Sequence, residues 1–182
     1  MVTVTLVPQS RPLTRTDLAS MPDDGHRYEL IDGALVVTPS PSRRHQLTSA
    51  HLHALLMTTC PAGLLVVAAP LDVELAEDTV VQPDLVVVRR DDFDDETRSL
   101  RPLLAVEILS TSTRHLDLAL KRSRYEVATI PAYWVVDPET PEVVAWEWRD
   151  GAYAEVGRAS GESSLALRHP YPVDIVPARL LD

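Results

Sequence analysis

The apolar residues of the second half of the chain come in short runs bounded by turn formers. Leu64 to Ala69, Leu71 to Leu75, Asp84 to Arg89 and Leu103 to Leu109 all have strand length. The last two are nearly continuous rather than alternating, the pattern of strands covered on both faces. Ala132 to Val136 repeats it and stops at Asp137-Pro138. Val143 to Trp148 and Ala152 to Gly157 flank Arg149-Asp150-Gly151, which predicts a hairpin. A second hairpin is predicted earlier, where Tyr28 to Ile31 and Ala34 to Thr38 flank Asp32-Gly33, a pair suited to a two-residue turn.

Two longer stretches have helical period instead. In Ser42 to Thr59, the residues His45, Leu52, Leu55 and Leu56 share a broad face, and Pro61-Ala62-Gly63 closes the helix. Thr113 suits the N-cap of another helix reaching Ala128, with Pro131 just beyond. Thr14 followed by Asp17 predicts a short helix running to Ser20, ahead of Pro22. The first 12 residues read as an extended arm. Residues 160–182 read as a tail packed on the domain, with its proline-rich stretch Pro170 to Pro177 lying across the surface. No repeat or flexible linker divides the chain, so the expectation is one domain over residues 1–182. Its class is α/β, bordering on α+β, with a mixed sheet and two main helices.

Composition narrows the setting. A chain of 182 residues that is 45% hydrophobic can bury a full core, which excludes disorder for most of it. One cysteine, Cys60, excludes an internal disulfide or a cysteine-rich zinc site and suggests a reducing compartment. The longest apolar run, Leu64 to Leu71, is far short of the roughly 18 residues of a membrane span, and the N-terminus lacks the order of a signal peptide. A cytoplasmic location with no membrane association is expected. The net charge of −10 argues against a general polyanion binder, although Asp91, Asp92, Asp94, Asp95 and Glu96 concentrate half of the excess. Of the 17 basic residues 16 are arginine, and Lys121 is the one lysine. Codon bias accounts for the skew, but not for where that lysine stands.

Charged residues inside apolar strands are the exceptions that suggest chemistry. Asp84 follows Pro83 at the start of Leu85 to Val88, and Glu107 interrupts Leu103 to Leu109. A carboxylate so placed must be paired, metal-bound or protonated, because an unpaired buried charge costs several kcal/mol. Two on adjacent strands can converge on a hard cation such as Mg²⁺, which takes a few carboxylates and keeps water. The alternative is structural: a turn-capping Asp84 and a Glu107 that meets an arginine. In the following helix Asp117, Lys121, Arg124 and Tyr125 fall on one stripe. Lys121 could thus be delivered beside Glu107, or form an exposed pair with Asp117. His51 and His53 are two apart on a helix and do not share a metal-facing side.

The succession Tyr28-Glu29-Leu30-Ile31-Asp32-Gly33, Pro83-Asp84, Val106-Glu107-Ile108-Leu109-Ser110, Asp117-x-x-x-Lys121-x-x-x-Tyr125 and Tyr133-Trp134-Val135-Val136-Asp137-Pro138 resembles the Uma family. That family belongs to the PD-(D/E)xK, restriction-endonuclease-like superfamily, and the resemblance runs from about Thr14 to Tyr153. It implies a restriction-endonuclease-like mixed central sheet flanked by helices and Mg²⁺-dependent phosphodiester hydrolysis, with Mn²⁺ as a possible substitute. It also implies that Asp84, Glu107 and the Ile108 carbonyl hold the metal. Where the superfamily has lysine after Glu-x, this chain has Leu109, and the resemblance moves the catalytic lysine to Lys121. Glu29 and His45 match family positions too. Glu29 could serve a second metal or a water, or be an edge-strand carboxylate. His45 could contact phosphate or shuttle a proton, or be a helix-end histidine.

Contact with nucleic acid requires local positive charge. Arg43, Arg44 and His45 open one helix, Arg124 lies on the other, and Gln82 beside Pro83-Asp84 could hydrogen-bond a nucleotide. No dedicated recognition motif is present, so weak, salt-sensitive DNA binding is expected, strengthened by homodimerisation. The competing reading is a non-catalytic module that binds nucleic acid or protein on the nuclease fold. The acidic composition and the absent Glu-x-Lys favour it; the three polar candidates Asp84, Glu107 and Lys121 favour the enzyme.

Overall fold

The computed structural model describes residues 5–7, 11–38, 40–93, 100–110 and 114–182. Two large sheets and a two-stranded one are built by the described residues. β1 (Thr5–Val7), helix α1 (Arg15–Leu18), β2 (Arg27–Ile31) and β3 (Ala34–Thr38) come first, then helix α2 (Arg43–Thr59) and β4 (Leu64–Ala68). β5 (Val73–Ala76) and β6 (Thr79–Val81) return to the first sheet, and β7 (Leu85–Arg89) and β8 (Leu104–Ile108) enter the second. A π-helical turn, Leu116–Lys121, runs directly into α3 (Arg122–Val127), followed by β9 (Ala132–Asp137), β10 (Glu142–Arg149) and β11 (Ala152–Ser160). β12 (Leu165–Leu167), β13 (Val173–Ile175) and a 3₁₀ turn, Pro177–Leu180, end the chain.

The central sheet has six strands in the order β11-β10-β9-β8-β7-β4, antiparallel except for the parallel pair β8 and β9. Its mixed character matches the expectation, because the crossover from β8 through the helix to β9 is long enough to reverse the chain. β8 and β9 are buried at every position, as their continuous apolar runs predict. Alternation then sorts the side chains. Leu85, Val87, Leu104, Val106 and Ile108 pack against Leu52 and Leu56 of α2. Val86, Val88, Ala105 and Leu109 pack on the opposite side, with Tyr125 of α3 and with Ile31, Val73 and Val81. Glu107, two residues from both Ala105 and Leu109, therefore points to that second side.

A separate five-stranded antiparallel sheet, β1-β3-β2-β6-β5, covers the second side. The sequence did not announce it as distinct from the central sheet, because β5 and β6 are only four and three residues long. β2 presents Ile31 to the central sheet and Leu30 to a small core with Leu13 and Leu18. The β2–β3 turn has Asp32 at φ 53° and Gly33 at φ 74°, the positive pair that a two-residue hairpin turn requires.

The ends of the chain differ from the sequence reading. Thr5–Val7 of the predicted arm is hydrogen-bonded as a strand to β3, while residues 1–4 and 8–10 lie outside the described residues. The proline-rich stretch does not simply cross the surface. Tyr171, Val173 and Ile175 are buried in the core shared by α2 and the central sheet, and β13 pairs with β12. The apolar residues between its prolines have a surface to bury against, which hydropathy at this density of proline does not disclose. Helix α1 forms with Asp17 accepting from the Thr14 backbone N–H at 2.8 Å and ends at Leu18, two residues before the predicted Ser20. The Thr113 cap and the acids Asp94, Asp95 and Glu96 lie outside the described residues. Among the described residues, no helix is long and apolar enough to cross a membrane.

Candidate active site

Asp84 lies one residue before β7, whose Leu85 pairs with Val106 in antiparallel register. Continuing that register by one residue sets Asp84 across from Glu107, so two carboxylates meet where β7 and β8 end. Asp84 is 4% exposed and Glu107 1%. Oδ2 of Asp84 accepts from the Ile108 backbone N–H at 2.8 Å and lies 3.1 Å from His45 Nε2, while Oδ1 accepts from Arg27 Nη1 at 3.1 Å. His45 reaches this point from the first turn of α2, where Ser42 Oγ caps the helix by accepting from the His45 N–H.

Glu107 is met by Lys121 and Tyr125. Lys121 Nζ donates to Glu107 Oε1 at 3.1 Å, and Tyr125 Oη donates to the same oxygen at 2.9 Å. The ammonium also lies 2.7 Å from Glu29 Oε1 and 3.7 Å from Asp117 Oδ1. Glu29 accepts a further 2.8 Å bond from the Gln82 backbone N–H. Lys121 is therefore buried among three carboxylates, and the reading of an exposed Asp117–Lys121 pair is set aside. The π-helical turn carries both residues; such turns insert a residue into the helical register and recur at functional sites.

Burial pushes the Lys121 ammonium toward losing its proton, but Glu107, Glu29 and Asp117 outweigh that and hold it protonated well above the usual lysine range. Burial pushes Asp84 up, yet the His45 hydrogen bond and the Arg27 charge bring it down to about 2. Glu29 is held low as well, with burial opposed by Lys121, Arg27 and the Gln82 N–H. Glu107 goes the other way. Burial, joined by Asp117, Asp84 and Glu29, drives it well above the carboxylate range in spite of Lys121. Four acids (Glu29, Asp84, Glu107, Asp117) face three basic side chains (Arg27, Lys121, His45), so acids are in excess in the buried cluster.

The structure thus brings together Asp84, Glu107, Ile108, Lys121, Glu29 and His45 of the residues singled out in the sequence. It does not gather the candidate nucleic-acid contacts. Arg43 is exposed, and Arg44 Nε donates to the Pro138 carbonyl at 2.8 Å. The Gln82 side chain turns away to Asp72 Oδ1 at 2.8 Å. Arg124 departs from the stripe of Asp117, Lys121 and Tyr125 and pairs with Asp32 on the β2–β3 turn at 2.6 Å. Sequence reasoning missed Arg27. The signal was present, since Arg27 and Glu29 are two apart on one strand and share a face. Among the described residues, no group of three His, Cys, Asp or Glu side chains is poised to hold one ion.

The family model described as "Putative restriction endonuclease", Uma2, matches residues 15–178. The chain belongs to the Uma2 family. That match takes in β2, β7, β8 and the π-helical turn, so every acid of the cluster lies within the Uma2 region. A solved structure titled as a putative nuclease belonging to DUF820, from Anabaena variabilis, superposes with a TM-score of 0.73 at 14% identity. It covers 93% of this chain and 98% of its own, a likeness of fold that agrees with the restriction-endonuclease-like architecture of this Uma2 protein. No curated protein matches the chain.

Proposed function

We propose that this Uma2 protein is a divalent-metal-dependent nuclease, hydrolysing phosphodiester bonds of DNA at the Asp84–Glu107 end of the central sheet. The meeting of the buried carboxyls of Asp84 and Glu107 carries this reading, because acids crowded in a low-dielectric site hold their charge only beside a cation and are otherwise driven to protonation, the direction in which Glu107 is pushed. Asp84, Glu107 and the Ile108 carbonyl are the groups that would hold Mg²⁺ or Mn²⁺. Two carboxylates and a carbonyl, completed by water, suit the hard, partly hydrated ions. Bound there, the metal would polarise the phosphate and lower the pKa of a water.

The chain's own residues divide the remaining work. Lys121, kept protonated, is suited to stabilise charge on the phosphate rather than to abstract a proton. Glu29 and Tyr125 hold that ammonium and Glu107 in place, and His45 orients Asp84 from behind. Glu29 stands where it could position water, and Arg43 at the start of α2 is free to meet a flanking phosphate. Affinity for DNA is proposed to be weak, strengthened by a homodimer, with the chain acting as one domain in a cytoplasmic setting.

The test is incubation of the protein with single- and double-stranded DNA and RNA, with Mg²⁺ or Mn²⁺ and with chelator. Double-stranded DNA cleavage that is lost in chelator and falls at least ~100-fold in Asp84→Ala supports the reading. Binding without cleavage under every metal condition selects the non-catalytic module instead.

A further inference from the structure

Arg27 occupies the outlet of the acidic cluster. Asp84 Oδ2 is already committed to the Ile108 N–H and His45, which leaves Oδ1 as the oxygen that can take another partner. Arg27 Nη1 holds that oxygen at 3.1 Å. Glu29 repeats the arrangement: Oε1 is used by Lys121 and the Gln82 N–H, and Oε2 faces Arg27 Nε at 3.7 Å. One guanidinium therefore stands before the outward oxygens of two acids that lie on different sheets.

It is loosely held for such a place. The Lys121 side chain is 2% exposed and locked by three carboxylates, whereas the Arg27 side chain is 22% exposed and stands nearer the solvent. Its Nε is buried without a hydrogen-bond acceptor, so the fork makes neither of the bidentate pairings that its geometry favours. Arginine cannot shed its charge, so it cannot share Asp84 Oδ1 with a divalent ion by deprotonating. It must move.

We propose that Arg27 is the counter-ion of the metal-free cluster, that a divalent cation displaces it from Asp84, and that the released guanidinium turns outward to a phosphate of the nucleic acid. Arg27 thus couples metal entry to substrate capture. The inference rests on the metal-dependent reading of the same site. Replacement of one cation by another explains how a buried acidic cluster stays folded before the metal arrives.

The test is Mn²⁺ titration of the full chain by calorimetry, without nucleic acid. Arg27→Met is expected to bind Mn²⁺ about tenfold more tightly than wild type, as removal of one competing charge at a partly solvated site implies. Arg158→Gln, which deletes the same charge from the surface pairs with Glu142 and Glu155, is expected to stay within about twofold. Mn²⁺ should also raise the thermal midpoint of Arg27→Met more than that of wild type, a readout that survives if the variant is poorly folded without metal. Arg27→Met binding no more tightly than wild type, or a Mn²⁺-loaded crystal structure with Arg27 still on Asp84 Oδ1, overturns the proposal alone. Absence of Mn²⁺ binding in both proteins overturns it together with the metal-dependent reading.

Discussion

Lys121 on the π-helical turn lies closer to Glu29 on β2, 2.7 Å, than to Asp117 on its own helix, 3.7 Å. An i,i+4 neighbour is the partner that helical spacing predicts, and on a surface it contributes a few tenths of a kcal/mol. Here the sheet laid over the helix supplies a better one. The lysine joins both sheets through Glu29 and Glu107, so the cluster is a structural joint as well as a candidate active site.

Lys121→Met should therefore damage both. Removing the ammonium leaves Glu29 and Glu107 buried without their counter-ion, at a cost of about 3–5 kcal/mol. The expected result is a large drop in urea midpoint with loss of nuclease activity. Adding Glu29→Gln should recover part of the stability and none of the activity. A single variant as stable as wild type would show that the ion pairs contribute little.

Tyr125→Phe isolates one bond of the network. The ring keeps its packing on Tyr133, with centroids 5.0 Å apart, and only the 2.9 Å bond to Glu107 is lost. A destabilisation of about 0.5–1.5 kcal/mol is expected, the range for one hydrogen bond whose acceptor oxygen keeps Lys121 as a partner, with unchanged secondary structure by circular dichroism.

Gly33→Ala meets two penalties at once. The φ of 74° disfavours any side chain, and a Cβ there would stand 2.6 Å from Pro12 Cβ. Chemical denaturation should show a loss above the ~1–2 kcal/mol that the left-handed conformation alone costs a residue with a Cβ. Gly25→Ala, at φ 82° with open space around it, should show the conformational part alone.

Asp137 should make stability pH-dependent on the acid side. Burial raises its pKa, but the Thr140 hydroxyl, Arg114 and the backbone N–H groups of Thr140 and Glu139 prevail and lower it. A carboxyl depressed by folding contributes stability that is complete above its unfolded pKa, about 3.9, and is lost as pH falls through the folded value. Urea midpoints of wild type and Asp137→Asn should be well separated at pH 6 and should draw together as pH falls through the folded value, the variant losing the Arg114 pair at every pH.

Much of this protein was determined by the sequence alone. The runs over β7, β8 and β9 announced buried strands, Asp32-Gly33 announced its turn, and Asp84 and Glu107 stood out as charges where the pattern demanded apolar residues. These are local properties, set by side-chain alternation and backbone sterics within a few residues. The partners of those charges were decided by the tertiary structure. Whether Lys121 met Asp117, Glu29 or water depended on how the second sheet closed over the first, and Arg124, on the same predicted stripe, went to Asp32 instead. Arg27 escaped notice for the same reason. A charge on a half-exposed strand is ordinary until a second layer, distant in the chain, excludes water from it and leaves the nearest ion of opposite sign as its partner.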